Sequence, residues 1–450
     1  MTESHAETGT LPLTAAEFAR LMDGLAWRGD ALAVAVSGGP DSMALTLLLR
    51  DWTAARQRRL MAFTVDHALR PESLAEAQQV ARWMGMHGIA HEILRWEHPP
   101  LQGAIQRRAR TARYALLAAA CRRHGMTALA LAHQQEDQAE TVLMRLAKGT
   151  GVDGLAGMRA VNFMRCGDEF NDGRGSGSSI DADDSIAARE SNIALLRPLL
   201  SVPKARLIAV CALRGQDYIR DPGNEAPYFA RGRLRRAAEV LAAEGMDEAR
   251  LGGLAARAAS ASTALTEYTD RLLARAARYD DAGYAELALD LTRAEPEEIQ
   301  MRALAVLLMR IGGGAYAPKH AALTDLLQVL QAGNMPRRTL HGCEIAAHGG
   351  RCRIIREYAA IKDRRSILPG QTLLWDYRFR VALLPDAPED LTIAPLGFMP
   401  HPELDRIAPG LRRRIPIGRV RAVLPALWRT ARLHAVPAYD SIVTGAPVTY

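Results

Sequence analysis

The six residues Ser37-Gly38-Gly39-Pro40-Asp41-Ser42 combine two glycines, two hydroxyls and a carboxylate, a set suited to holding phosphate. Gly38 and Gly39 can turn several backbone N–H groups toward one point, and Ser37 and Ser42 add hydroxyl donors. A helix starting at this loop adds its positive end, which makes the junction an anion site. Asp41 is the exception, because a carboxylate repels phosphate. It fits if it carries a Mg²⁺ ion that bridges to the phosphates. The plain alternative is a strand-to-helix turn in which Ser or Asp caps the helix. That accounts for a lone Gly-Gly-x-Asp, and less well for all six residues. The chain has no G-x-x-x-x-G-K sequence followed by Ser or Thr, so the loop is not the common NTPase type with its phosphate lysine.

A second group is His133-Gln134-Gln135-Glu136-Asp137-Gln138-Ala139-Glu140. Ala139, Val142, Leu143 and Leu146 recur at helical spacing as an apolar stripe, which places Asp137 and Glu140 near the N-terminus of one helix. Acids there favour the helix dipole by a few tenths of a kcal/mol, which explains one carboxylate but not His-x-x-Glu-Asp-x-x-Glu. We read His133, Asp137 and Glu140 as catalytic, with Asp137 near Mg²⁺ beside Asp41. His133 is then near the phosphates, and it or a carboxylate can serve as a general base. Arg110 and Arg113 share a helix face with Tyr114 and can neutralise phosphate, whereas Arg107 and Arg108 read equally as a solvated basic face. Asp66 is a further site carboxylate, while a capping or turn role suits His67.

These residues sit where alternating strands and helices must place them. Ala31–Val36 is an unbroken apolar run, the pattern of a strand buried on both faces. Further strands are expected at Leu60–Val65, Ile89–Leu94 and Ala128–Ala132. Helices are expected at Met43–Arg50, from Pro71 to His87, at Gln102–Arg123, from Glu136 to Ala147 and at Pro203–Arg214. Thr14 and Glu17 have capping-box spacing at the head of a short N-terminal helix. The fold class is therefore α/β, with a doubly wound, mostly parallel sheet. In such a sheet ligands bind beyond the C-terminal ends of the strands, which is where Ser37, Asp66 and His133 fall.

Residues 1–225 form this catalytic domain, interrupted at about 165–192 by a Gly/Ser/Asp-rich insertion read as a flexible loop. Residues 226–360 turn helical and alanine-rich with little strand signal, ending in a β-hairpin, Leu340–Ala346 and Cys352–Arg356, joined through His348-Gly349-Gly350. Residues 361–450 make a small mixed α+β domain with short strand-like runs such as Phe379–Leu384.

The bulk composition narrows the setting. Hydrophobic residues are 48% and charged residues 24% of the chain, which describes an ordinary globular protein. A net charge of +7 suits an anionic partner. Arg231, Arg233, Arg235 and Arg236 form one basic cluster, and Arg406, Arg412, Arg413, Arg414, Arg419 and Arg421 another. Two such runs outside the catalytic domain favour an RNA partner. Five dispersed cysteines without a C-x-x-C fit reduced thiols. No signal peptide or membrane span is visible, so a cytoplasmic location is expected.

The loop resembles the pyrophosphate loop of the N-type ATP pyrophosphatases, which implies ATP cleaved to AMP and pyrophosphate. Within that superfamily, Val65-Asp66-His67-Ala68-Leu69-Arg70, Ala109–Tyr114 and His133–Thr141 resemble the motifs of the tRNA(Ile)-lysidine synthetases, in order. So do Arg197-Pro198-Leu199-Leu200, Lys204, Asp221-Pro222-Gly223-Asn224 and Arg231–Arg235, and, more faintly, Trp375-Asp376-Tyr377-Arg378-Phe379. The resemblance is strong over about 31–240. Two positions depart from it. Gln134-Gln135-Glu136 stands within the family's H-H-x-D-D-Q, and Gly232 replaces its usual Asn.

The resemblance implies an ATP-binding set of Ser37, Gly38, Gly39, Pro40, Asp41, Ser42, Asp66, Arg110 and Arg113. The implied substrates are an isoleucine tRNA with a CAU anticodon and free L-lysine, with tRNA contacts in both accessory domains; a homodimer is compatible with this. The rivals are a tRNA thiolase, which usually wants paired cysteines, an amide-forming ligase, and a non-catalytic RNA-binding protein with an eroded loop.

Overall fold

The computed structural model describes residues 10–99, 103, 105–164, 193–220, 240–314, 317–332, 337–437 and 443–444. The chain divides into two compact units, one reaching Ser262 and the other running from Thr263 to the C-terminus.

The first unit is built on six strands. In chain order its elements are α1 Ala15–Gly24, β1 Ala31–Ala35, α2 Pro40–Ala54, β2 Arg59–Asp66, α3 Ser73–Met86, β3 Ala90–Arg95, α4 Ile105–Arg123 and β4 Ala128–Ala130. They continue with α5 Gln135–Leu146, α6 Val152–Leu155, β5 Val161–Met164, β6 Ile193–Leu196 and α7 Lys204–Leu213. The strand order is β3-β2-β1-β4-β6-β5. All neighbours are parallel except the β5/β6 edge pair, which is antiparallel.

Alternation along β1 sorts the two layers. Leu32 and Val34 pack with Met43, Leu45 and Leu48 of α2, Val80 and Met84 of α3, and Leu207 and Val210 of α7. Ala31, Ala33 and Ala35 face Tyr114, Leu117, Ala118 and Cys121 of α4. Small alanines on that face let the long helix lie close, and every residue of β1 is buried, as a central parallel strand requires. The chain leaves β1 toward β2 on one side, while β4 lies on the other. The crevice between the ends of β1 and β4 is thus the topological switch point of the sheet.

In the second unit, α8 Glu248–Ala276, whose residues divide between the units at Ser262, leads to β7 Ala277–Asp280 and β8 Tyr284–Ala288. Then come α9 Leu289–Arg293, α10 Glu297–Gly312, α11 His320–Gln331, β9 Arg338–Leu340, β10 Cys343–His348 and β11 Arg351–Arg356. The hairpin expected from His348-Gly349-Gly350 is present, pairing Cys343 with Arg356 and His348 with Arg351.

This stretch differs from the largely helical reading, because β7 and β8 complete a five-stranded sheet in the order β7-β8-β11-β10-β9. The segment Ala-Arg-Tyr-Asp has little strand propensity of its own. Its state is set by pairing, with β8 bonded to β11 and burying Ala285 and Leu287 against α10.

The remainder is β12 Arg365–Ile367, β13 Thr372–Trp375, β14 Phe379–Ala382, β15 Leu391–Pro395, α12 His401–Ile407, α13 Leu411–Arg414, α14 Gly418–Ala422, β16 Pro425–Arg429, β17 Arg432–Ala435 and β18 Val443–Thr444. It has its own core around Trp375, Phe379, Ile393 and Leu424.

Candidate active site

The loop after β1 and the segment after β4 open onto one cavity of about 860 Å³, within the size range of a small-molecule site. Of the residues singled out by sequence, Ser37, Gly39, Pro40, Asp41, Ser42, Arg113, His133 and Asp137 line it. The loop is shaped before any ligand arrives. Ser42 Oγ donates to Gly39 O at 3.0 Å and accepts from Ser37 N at 3.2 Å. Gly39 is the N-cap of α2 and Pro40 occupies its first turn, where the missing N–H of proline costs nothing. The positive end of a 15-residue helix therefore faces the cavity.

Gly38 stands behind the loop at φ +85°, and a Cβ there would meet Ile219 Cδ1 at 2.6 Å and Val80 Cγ2 at 2.9 Å. Its carbonyl accepts from Ile219 N at 2.9 Å, which ties the Tyr218–Arg220 wall of the cavity to the loop.

Asp41 is the electrostatic focus. Burial, with the negative charges of Asp137 and Glu136, pushes its carboxyl up to about 6 against the opposing pull of Lys204. Its Oδ1 is buried without a hydrogen-bond partner. A buried carboxylate oxygen with no donor, near a second carboxylate and beside a phosphate-type loop, fits a hard cation. Among the described residues no three His, Cys, Asp or Glu side chains converge as a metal cage. Mg²⁺ commonly uses one or two carboxylates and fills its remaining positions with water and substrate phosphates. Asp41 and Asp137 suit that pattern.

In the first of the two departures from the family motif, Gln134 and Glu136 both have visible work. Gln134 is the N-cap of α5. Its Oε1 accepts from Glu136 N at 2.6 Å, while Asp137 Oδ2 accepts from Gln134 N at 3.2 Å, giving a capping box. Glu136 turns toward α7, where both carboxylate oxygens accept from Lys204 N, at 3.0 and 3.1 Å. That bond anchors the start of α7, and Lys204 itself lines the cavity.

Other residues are placed differently. Asp66 is 2% exposed; its Oδ1 accepts from Ala68 N at 2.9 Å and Ser73 Oγ at 2.7 Å, so it shapes the turn after β2. His67 lines the cavity instead, its imidazole held below the usual histidine range by burial and by Arg113. Arg110 stacks on Tyr114 at 5.2 Å, and neither Arg110 nor Glu140 is part of the lining. The residues at 221–239, with Asp221–Asn224, Gly232 and the Arg231–Arg236 cluster, lie outside the described residues, as does the 165–192 insertion.

Lys204, Arg70 and Arg220 join the site without having been assigned a chemical role from sequence, and His67 joins it although a capping or turn role was expected. Lys204, His67 and Arg70 carried a signal only as parts of the motif resemblance, and nothing local to Lys204 announced that α7 packs beside α2.

Comparison with known proteins adds the family context. A family profile described as a PP-loop domain matches residues 14–241. The chain is 40% identical over 361 residues to a tRNA(Ile)-lysidine synthase of Methylobacterium nodulans, covering 75% of this chain and 94% of that one. It is 36% identical over 409 residues to a tRNA(Ile)-lysidine synthase of Ruegeria pomeroyi, covering 90% and 88%. Among solved structures, a U34-tRNA thiolase from Methanococcus maripaludis aligns with a TM-score of 0.41 at 16% identity, over 56% of this chain and 80% of that one.

Proposed function

The chain belongs to the tRNA(Ile)-lysidine synthase family of PP-loop proteins, and from that premise we propose how its cavity carries the reaction. It is an ATP-dependent tRNA-modifying ligase that joins lysine to tRNA(Ile). The acceptor is the wobble cytidine of a CAU anticodon and the donor is free L-lysine.

In the first step the C2 oxygen of the cytidine attacks the α-phosphorus of ATP. The new O–P bond forms as the bond to the β-phosphate oxygen breaks, and pyrophosphate leaves with that electron pair. In the second step the ε-amine of lysine attacks C2. The new C–N bond replaces the C2–O bond, AMP departs with the oxygen, and the amine gives up a proton.

Catalysis is mainly positioning and electrostatics. The Ser37–Ser42 loop and the N-terminus of α2 cradle phosphate, and Lys204 and Arg113 supply positive charge at the same cavity. Asp41 and Asp137 hold Mg²⁺, which when bound offsets charge on the leaving pyrophosphate. The observation that carries the reading is the buried, unpartnered Asp41 Oδ1 at the head of an intact phosphate loop.

Among the described residues no cysteine lines the cavity. Cys121 and Cys211 lie in cores on opposite faces of the sheet, which disfavours a thiolase. Residues 1–225 are assigned the chemistry, and 226–360 and 361–450 the tRNA; the separate cores of the second unit support the latter cut. No described helix is long and apolar enough to cross a membrane, and a cytoplasmic place of work suits a tRNA substrate. A homodimer is compatible with this reaction.

The deciding test supplies ATP, labelled lysine and CAU-anticodon isoleucine tRNA. Lysine entering the tRNA with release of AMP and pyrophosphate is expected. No incorporation, or sulfur transfer in its place, would overturn the reading.

A further inference from the structure

One buried pairing at the cavity wall has no role in the reaction as described. Arg197 follows β6, the neighbour of β4, and is 1% exposed. Its Nη1 donates to Arg159 O at 3.0 Å, and its backbone N–H to Ala160 O at 2.8 Å. Its Nε donates to His133 Nδ1 at 3.2 Å. A guanidinium has only donors and keeps its charge in proteins, so the direction of this bond is unambiguous and Nδ1 is the acceptor. A neutral imidazole that accepts at Nδ1 carries its hydrogen at Nε2. Protonating Nδ1 would set N–H against N–H and place a second positive charge against a buried one.

The surroundings reinforce this. Arg110, Arg113 and Arg197 all lie close enough to the buried Tyr114 hydroxyl to draw its ionisation below the ordinary range despite burial. A further cation at His133 would sit against these arginines on the Arg197 side, while Asp41 and Asp137 belong to the same cavity's polar lining.

We propose that Arg197 is a positioning residue that locks His133 as the neutral Nε2–H tautomer, making His133 a hydrogen-bond donor to an anionic oxygen of the reacting phosphate and not the base for the incoming amine. The tautomer is a property of the free protein. Only the identity of the accepting oxygen rests on the proposed reaction. Fixing one nitrogen as acceptor so that the other must donate is the logic by which partners around a histidine choose its function. The amine proton must then pass to a carboxylate or to water.

The test has a spectroscopic arm and a kinetic arm, both on the full chain. Long-range ¹H–¹⁵N correlation of ¹⁵N-histidine protein, with His133 assigned by its loss in His133→Gln, reads which nitrogen is protonated. Nδ1 in the unprotonated range and Nε2 in the protonated range, unchanged between about pH 6 and pH 8, is expected. The opposite tautomer, or a ring that titrates across that interval, overturns the proposal.

Arg197→Met, checked by thermal melt, should release the ring to titrate or to mix tautomers; a spectrum identical to wild type in a folded variant also overturns it. If that variant does not fold, the wild-type spectrum still decides. In the kinetic arm, glutamine offers an amide N–H near the Nε2 position and asparagine near Nδ1. His133→Gln should retain pyrophosphate release within roughly tenfold of wild type, while His133→Asn and His133→Ala lose on the order of a hundredfold, as removal of one preorganised donor does. Equal losses in Gln and Asn would sink the donor role. A wild-type protein that forms no lysidine would defeat the proposed function and leave the tautomer result standing.

Discussion

Asp41 shows how much one side chain is asked to tolerate. Its carboxyl sits near 6 in the fold, against 3.8 when unburied. Between those values the folded chain binds a proton that the unfolded chain has lost, so stability falls as pH rises through this window. Above it, ionised Asp41 costs on the order of 2–3 kcal/mol. In metal-free protein, Asp41→Asn should therefore unfold at higher urea than wild type at pH 8 and at the same urea near pH 4. Equal midpoints at pH 8 would show that burial places no such load on residue 41.

Function reverses the ranking. Asp41→Ala should abolish AMP formation while leaving tRNA affinity nearly intact, and substantial residual turnover would count against its metal role. The loop was legible in sequence because its chemistry is local, six consecutive residues with a matching conformation. Lys204 was legible only as part of the motif resemblance, since its approach to Asp41 depends on how α7 packs beside α2.

At the level of elements, the departures at Gln134 and Glu136 are explained by helix ends. Gln134 and Asp137 close the capping box of α5, and Glu136 binds the backbone of α7's first residue. Gln134→Ala should lower stability by about 1 kcal/mol, the usual worth of a side-chain cap, read as a shifted urea midpoint with unchanged slope. No shift would mean that solvent replaces the cap.

A heavier element-level device lies in the β13–β14 hairpin. In its three-residue loop, Asp376 and Tyr377 both adopt left-handed φ, 47° and 57°, and the turn closes with Arg378 N–H donating to Trp375 O at 3.1 Å. The Asp376 carboxylate is 2% exposed and takes Arg356 at 3.0 Å and Arg378 at 2.8 Å. Asp376→Ala would strand two buried guanidinium groups and should cost about 3–5 kcal/mol. A thermal melt within a degree or two of wild type would refute that.

Strands β1 to β4 and the helices around them could be read from sequence because parallel strands are continuous apolar runs between amphipathic helices, whereas the β5/β6 edge pair could not. Nor could the β7–β8 hairpin, as its short, alanine-containing strands owe their state to a partner 69 residues further along the chain at the Ala285–Ile354 pairing.

For the molecule as a whole, the net charge of +7 overstates what is available to a polyanion. Of the arginines grouped near the C-terminus, Arg421 is 9% exposed and donates to the carbonyls of Ile415 and Pro416 at 2.6 and 2.8 Å. Arg419 pairs with Glu344 at 2.6 Å and Arg412 with Asp405 at 2.7 Å. These three brace α13, α14 and the β10 strand, a use that a charge count cannot distinguish from RNA binding. Arg406, Arg413 and Arg414 are the exposed members of the cluster, and their position at the surface makes them the ones to test against phosphate.

The double variant Arg413→Ala/Arg414→Ala should therefore weaken tRNA binding while sparing the fold, whereas Arg421→Ala should chiefly lower the melting temperature. The electrostatic signature separates the two. Removing one arginine that neutralises a phosphate flattens the dependence of log affinity on log salt by about 0.7–0.9, so the double variant should show a shallower slope, and its deficit should shrink as salt rises. An unchanged slope with normal affinity at low salt would remove α13 from the RNA surface and move the search to the basic residues elsewhere in the chain.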